Sequence, residues 1–227
     1  MDIALFWSVF GFSFLVALTG ALVPGPLLTY TIVKTLRTNK RGFLVGAWVI
    51  TGHALLESAI IIGLLLGLAS LLRSSVVVKT IGVVGGGFLL YMGVSLIMDV
   101  VRKRVPDVFD TKEEGAASTP AGGGIQNPVL GGLLVSMSNP YFWVWWATVG
   151  FAFMIRFDVS FANWPVLLVF FLGHEAGDLA WYVATSTLVD IGKRKITLKV
   201  YNIILTVCAV VIIGFGGYLG VSIFLGA

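Results

Sequence analysis

Gly52-His53-Ala54-Leu55-Leu56-Glu57 lies inside Phe43–Leu72, an apolar run in which Glu57 is the only Asp, Glu, Lys or Arg. A helix needs about 20 residues to cross a bilayer core about 30 Å thick, so the run reads as a membrane span with an acid halfway along it. The pattern returns in a second apolar run, Trp164–Val189, as Gly173-His174-x-x-x-Asp178. His53 and His174 are the chain's two histidines, and each follows a glycine and precedes a carboxylate by four positions. Residues four apart share a helix face, so each half brings an imidazole to a carboxylate near the bilayer midplane. A charge at that depth costs at least about 2.5–3.5 kcal/mol, and so should face the bundle interior with a partner.

The composition agrees. Of 227 residues, 58% are hydrophobic and 11% charged, and the mean hydropathy is +0.99. Soluble domains carry about 25% charged residues. There is too little charge here to cover a water-facing surface, which excludes a soluble globular enzyme. The hydrophobicity excludes disorder, and the 28 glycines lack the three-residue period of collagen. Cys208 is the single cysteine, so no disulfide framework exists. The pI is about 9.3 and the net charge +4. The basic residues nevertheless sit in short clusters between apolar runs, where they orient spans rather than bind nucleic acid. The N-terminus lacks a basic n-region, and its uncharged stretch runs from Ile3 to Val33, unlike a cleaved secretory signal.

The whole chain reads as an all-α integral membrane protein with six transmembrane helices. The spans are Ile3–Val33, Phe43–Leu72, Thr80–Met98, Val129–Ile155, Trp164–Val189 and Tyr201–Leu225. β-barrel strands are excluded because runs such as Ile60–Leu72 do not alternate. The first, third and fifth connections hold twelve Lys and Arg, including Lys34, Arg102 and Lys193; the second and fourth hold three, Arg73, Lys79 and Arg156. Basic residues stay on the cytoplasmic side, so the chain is expected to be a multi-pass protein of the cell (inner or plasma) membrane with both termini outside. Residues 99–128 combine acids, among them Asp107, Asp110, Glu113 and Glu114, with the small-residue stretch Gly115–Gly124 and read as a flexible cytoplasmic linker. It would join a first three-helix repeat, 1–98, to a second, 129–227.

Three helices are an odd number, so the second repeat must enter the membrane from the opposite side. This is the inverted-repeat plan of many secondary transporters. The first helix of each half is marked alike, by Pro24-Gly25-Pro26 and by Asn139-Pro140, and both are expected to be broken there. Proline lacks an N–H and clashes with the carbonyl four residues back, so these prolines should free the carbonyls of Gly20, Leu22 and Ser136. In lipid such groups persist only against protein or in a wet cavity. The half-helix beyond each break also offers N–H groups to an anion. The substrate-binding or ion-coupling residues expected are therefore Pro24, Gly25, Pro26, His53, Glu57, Ser136, Asn139, Pro140, His174 and Asp178.

Other features carry less. Glu175 points about 100° away from His174 around the helix and reads as a rim or vestibule residue. Trp143-Val144-Trp145-Trp146 could offer a cation–π surface, although aromatics more often mark the membrane interface. The pairs Gly42/Gly46, Gly63/Gly67 and Gly216/Gly220 have the spacing of close helix packing. Gly85–Gly87 and Gly214–Gly220 follow no strand and lack the dinucleotide pattern, so no cofactor is expected. No nucleophile elbow is present, and an enzyme is not expected.

At these residues the chain resembles the lysine exporter (LysE/RhtB) family of amino-acid efflux transporters. The resemblance rests on Pro24-Gly25-Pro26, the basic Lys34–Arg41 loop followed by Gly42 and Gly46, Asn139-Pro140, and Gly173 with Asp178-Leu179-Ala180-Trp181-Tyr182. It covers essentially the whole chain apart from the linker. It implies export of a small amino acid or related metabolite, driven by a proton or ion gradient through alternating access. Many members carry an acid earlier in the helix where this chain has His53 and Glu57. Expected partners are the small-molecule substrate, the lipid bilayer and a second copy of the chain. The alternative reading, suggested by divalent-metal exporters in the wider superfamily, makes His53, Glu57, His174 and Asp178 ligands of a transported metal.

Overall fold

Asp2 starts the first helix. Its Oδ1 accepts the Leu5 N–H at 2.7 Å, one of the donors that a helix leaves open at its N-terminus, and α1 (Ile3–Ala21) follows. The computed structural model describes residues 2–23, 25–68, 74–102, 125–193, 195 and 197–225. Pro24 and most of the expected linker, residues 103–124, lie outside the described residues.

All the regular structure among the described residues is helical. After α1 come α2 (Pro26–Leu36), a 3₁₀ turn over Gly42–Leu44, α3 (Val45–Leu65) and α4 (Ser75–Val101). Beyond the linker are α5 (Pro128–Met137), α6 (Pro140–Trp145), a π-helical stretch over Trp146–Gly150, α7 (Phe151–Arg156), α8 (Trp164–Lys193) and α9 (Leu198–Leu225). Among the described residues three stretches, Ile3–Ala21, Gly42–Leu65 and Trp164–Lys193, are long and apolar enough to cross a membrane. Large apolar side chains such as Trp7, Leu15, Trp48 and Leu55 face outward, as in a protein whose solvent is lipid.

The expected breaks are present, but they are built differently from a kinked helix. Pro26 and Pro140 each stand at the first position of a new helix, where a missing N–H costs nothing. Asn139 caps α6 by accepting the Tyr141 N–H at 3.1 Å, whereas Gly25 offers α2 no side-chain cap. Two carbonyls expected to be free are taken. Gly20 O accepts from Val23 N at 3.2 Å and Ser136 O from Asn139 N at 3.1 Å, because the last turn of each preceding helix tightens and closes on itself. The fourth apolar stretch therefore comprises α5, α6 and α7 with the π turn between the last two, and the first comprises α1 and α2.

α1 packs chiefly on α8, α3 on α5 and on α8, and α4 on α9. Glycines set the closest of these approaches. A Cβ at Gly52 would run into the Val129 carbonyl on α5, and a Cβ at Gly132 into the Val49 carbonyl on α3. On α8, a Cβ at Gly173 or Gly177 would meet the Phe10 or Phe14 carbonyl of α1. The glycine preceding each histidine thus lets that histidine's helix lie against the backbone of the first helix of the other half.

At one end of the bundle, α8 closes on the α2–α3 turn. Lys193, 3% exposed, donates to the carbonyls of Thr35 and Thr38 and pairs with Asp190. Asp190 in turn accepts the Phe43 N–H at 3.1 Å, and Ser186 donates to the Phe43 carbonyl at 2.8 Å. Arg41, in the left-handed conformation with φ 58°, turns the chain there.

Backbone cannot give way as a flexible side chain does, so Gly52→Ala is expected to destabilise the detergent-solubilised protein by about 1–3 kcal/mol. Gly214→Ala, where a Cβ meets nothing within 4 Å, should be neutral or stabilising. Thermal melting of the two variants side by side checks this.

Candidate functional site

Two apolar clusters lie along the bundle with a polar layer between them. On α3, Ile50 belongs to one cluster and Ile60 to the other; on α8, Tyr182 and Phe170 are divided in the same way. His53 and Glu57 fall between the first two, and His174 and Asp178 between the second two. All four are buried, at 8%, 2%, 3% and 3% exposure.

The two halves meet in this layer. His53 Nε2 stands 3.1 Å from Glu57 Oε1 and 3.7 Å from Asp178 Oδ2. His174 Nε2 stands 3.4 Å from the same Glu57 oxygen and 3.7 Å from Asp178 Oδ2. Pairing is therefore across the interface as well as along each helix. Trp146 donates its indole N–H to Glu57 Oε1 at 3.1 Å, so three nitrogens surround one carboxylate oxygen. Ser136 lies on the far side of His53, its Oγ 2.6 Å from Nδ1. A hydroxyl can donate or accept, so Ser136 satisfies His53 Nδ1 whether the imidazole is neutral or protonated.

Aromatic rings wall the layer. Trp145, Trp146 and Phe170 lie 5.5, 5.0 and 6.3 Å from the His174 ring, centroid to centroid, and Phe142 lies 5.2 Å from His53. Trp146 is wholly buried, so it belongs to the centre of the protein and not to a membrane interface. Gly150, one turn on, leaves room for its ring, which a Cβ there would strike. The π-helical stretch begins at Trp146; its wider turn sets the indole's direction, and such turns frequently occur at functional sites. Sequence spacing assumes 3.6 residues per turn and gives no sign of it.

A cavity of about 80 Å³, room for several waters, opens beside this layer. Gly25, Pro26, Ser136 and Asn139 line it, together with His53, Glu57, His174 and Asp178. The expected site residues thus come together, with two exceptions. Pro140 is buried at the start of α6 but does not line the cavity, and Pro24 lies outside the described residues. Glu175 differs from expectation: both its carboxylate oxygens are buried, and they face the cluster and not a vestibule. The signal was present, since Glu175 and Asp178 are three residues apart and share a face.

Apolar helices of membrane-crossing length around a buried polar layer with its own cavity define a membrane protein with an internal site. The family model for the LysE type translocator matches residues 18–222, and the chain belongs to that family. Its class of activity is accordingly efflux across a membrane. No curated protein and no solved structure gives a significant match.

Trp146→Phe keeps the ring and removes one of the three donors to Glu57 Oε1. Hydrogen bonds to charged groups contribute about 1.5–3 kcal/mol. A corresponding loss of thermal stability is expected, whereas Trp143→Phe, which removes a neutral bond to the Met137 carbonyl, should cost less.

Proposed function

We propose that the protein exports a small amino acid or related metabolite by alternating access, coupled to a proton or ion gradient. The observation that carries this reading is the convergence of His53, Glu57, His174 and Asp178, two residues from each half, on one cavity bordered by both helix breaks. The substrate would lie between the breaks. A zwitterion needs a partner for each end: the uncapped N-terminus of α2 beside Gly25 and Pro26 would serve a carboxylate, and Asp178 an ammonium.

Two inverted three-helix repeats, 1–98 and 129–227, joined by a cytoplasmic linker over 99–128, are the architecture that suits this mechanism. The packing pattern supports it. A twofold that exchanges the halves would turn the α1–α8 contact into the α5–α3 contact and map the α3–α8 and α4–α9 contacts onto themselves, and these are the principal pairings. With the basic connections on the cytoplasmic side, both termini would lie outside the cell.

The metal-cargo alternative has a geometric point in its favour, since ligand atoms of His53, Glu57 and Asp178 lie within 4.8 Å of one another. The donors around Glu57 Oε1 favour the organic substrate instead. That oxygen is approached by two imidazole nitrogens and an indole N–H, so a metal bridging Glu57 would have to displace them, whereas an ammonium needs only Asp178.

Proteoliposomes loaded with a panel of radiolabelled amino acids test the reading. At least one amino acid should leave faster under an imposed pH gradient, and Glu57→Gln should abolish that acceleration. Coupled efflux unchanged by the substitution would remove Glu57 from the mechanism.

A further inference from the structure

Resting on the transport reading above, we infer that Glu175 and Glu57 form a carboxyl pair holding one proton between them, and that this pair is the coupling-proton site. Glu175 is half-buried as a residue, yet both its carboxylate oxygens are buried without a hydrogen-bond partner. Glu57 is in a similar position on one side only. Oε1 is surrounded by three nitrogens, whereas Oε2 is buried and has no partner. The two side chains stand within hydrogen-bonding reach of each other, Glu175 on α8 and Glu57 across the interface on α3.

Two ionised carboxylates are acceptors only, and at this separation away from water they repel. A single proton turns the pair into one donor and one acceptor and satisfies both orphaned ends. Among the described residues no cation pairs with Glu175. The groups acting on it are Glu57 and Asp178, both acids, and α1, the helix packed most closely on α8, carries no titratable residue. Both imidazoles are directed at Glu57 Oε1 and Asp178 Oδ2. Three acids against two imidazoles leave one carboxyl to be neutralised by its own proton.

The pair also separates two tasks. Glu57 lines the cavity and Glu175 does not. An ammonium group arriving in the cavity would change what surrounds Oε1, and with it the hold of the same carboxylate on the proton at Oε2. One side chain thus senses both the substrate and the proton.

Infrared spectroscopy of the full-length chain in lipid nanodiscs reads this directly. The wild type at neutral pH should show the carbonyl stretch of a protonated carboxyl, shifting in D₂O. Glu175→Gln and Glu57→Gln should each remove it, and Asp178→Asn should leave it. A band that survives Glu175→Gln, or no such band in the wild type, overturns the inference. A hydrophobic carbodiimide, which attacks protonated carboxyls, provides a second readout that needs no variant. Mass mapping should find the label on Glu57 or Glu175, and a label confined to Asp178, or none, refutes the shared proton. Neither measurement uses a transported substrate, so both judge the pair even where the amino-acid panel fails. If the pair is present but Glu175→Gln leaves pH-driven efflux unchanged, its assignment as the coupling site is wrong.

Discussion

Glu57 Oε1 accepts from three directions: along its own helix from His53, across the interface from His174, and from Trp146 beyond the π-helical turn. A carboxylate at this depth has lipid outside the bundle and one small cavity inside it, so most of its partners must come from the protein. Those partners sit on α3, α8 and the fourth apolar stretch, and to meet one oxygen the three elements must converge at one level. The layer is held there by the apolar clusters on either side, and its polarity keeps the clusters apart.

Convergence requires close helices, and backbone contacts supply them. Gly52 and Gly132 let α3 and α5 touch backbone to backbone, while Gly173 and Gly177 do the same for α8 against α1. Ser13, which donates to the Phe170 carbonyl, adds a polar tie within the second contact. Association in lipid lacks a hydrophobic drive and depends on such packing and on interhelical hydrogen bonds. The glycine before each histidine therefore has a mechanical meaning: it brings the helix bearing the imidazole close to the broken helix of the other half, whose break borders the cavity. A coupling mechanism that depends on relative motion of the halves would act through these same contacts, and at the far end through the Lys193–Asp190 tie that closes α8 on the α2–α3 turn.

Family membership gives the class of activity, and the residues around the cavity carry the particular reading. One end of the hollow offers backbone donors, the other carboxylates, and aromatic rings enclose the imidazoles between them. That polarity matches a small zwitterion. Of the proposed carboxyl pair, Glu57 lines the cavity and Glu175 lies outside it, so the proton can be held on the side away from the substrate.

The membrane class, the helical composition, the two breaks and the four central ionisable residues could all be read from the sequence, because each is a matter of local chemistry: an apolar run of bilayer length, a proline that cannot continue a helix, an acid that lipid cannot accommodate. The repeated Gly-His-x-x-x-acid pattern even indicated that two halves would contribute alike. Three things were out of reach. The expected pairing was within each helix, but the bundle adds pairing between helices, which depends on their crossing. The carbonyls below the prolines were expected to be free, yet the preceding turns closed on them, since a chain that ends one helix and starts another avoids the clash altogether. Trp146 read as an interface aromatic, and a π-helical turn directs it inward; the spacing of Glu175 to Asp178 was legible, but not the α3 surface that receives it. Sequence determines which groups must find partners away from water, and only the packing of one helix on another decides which partners they find.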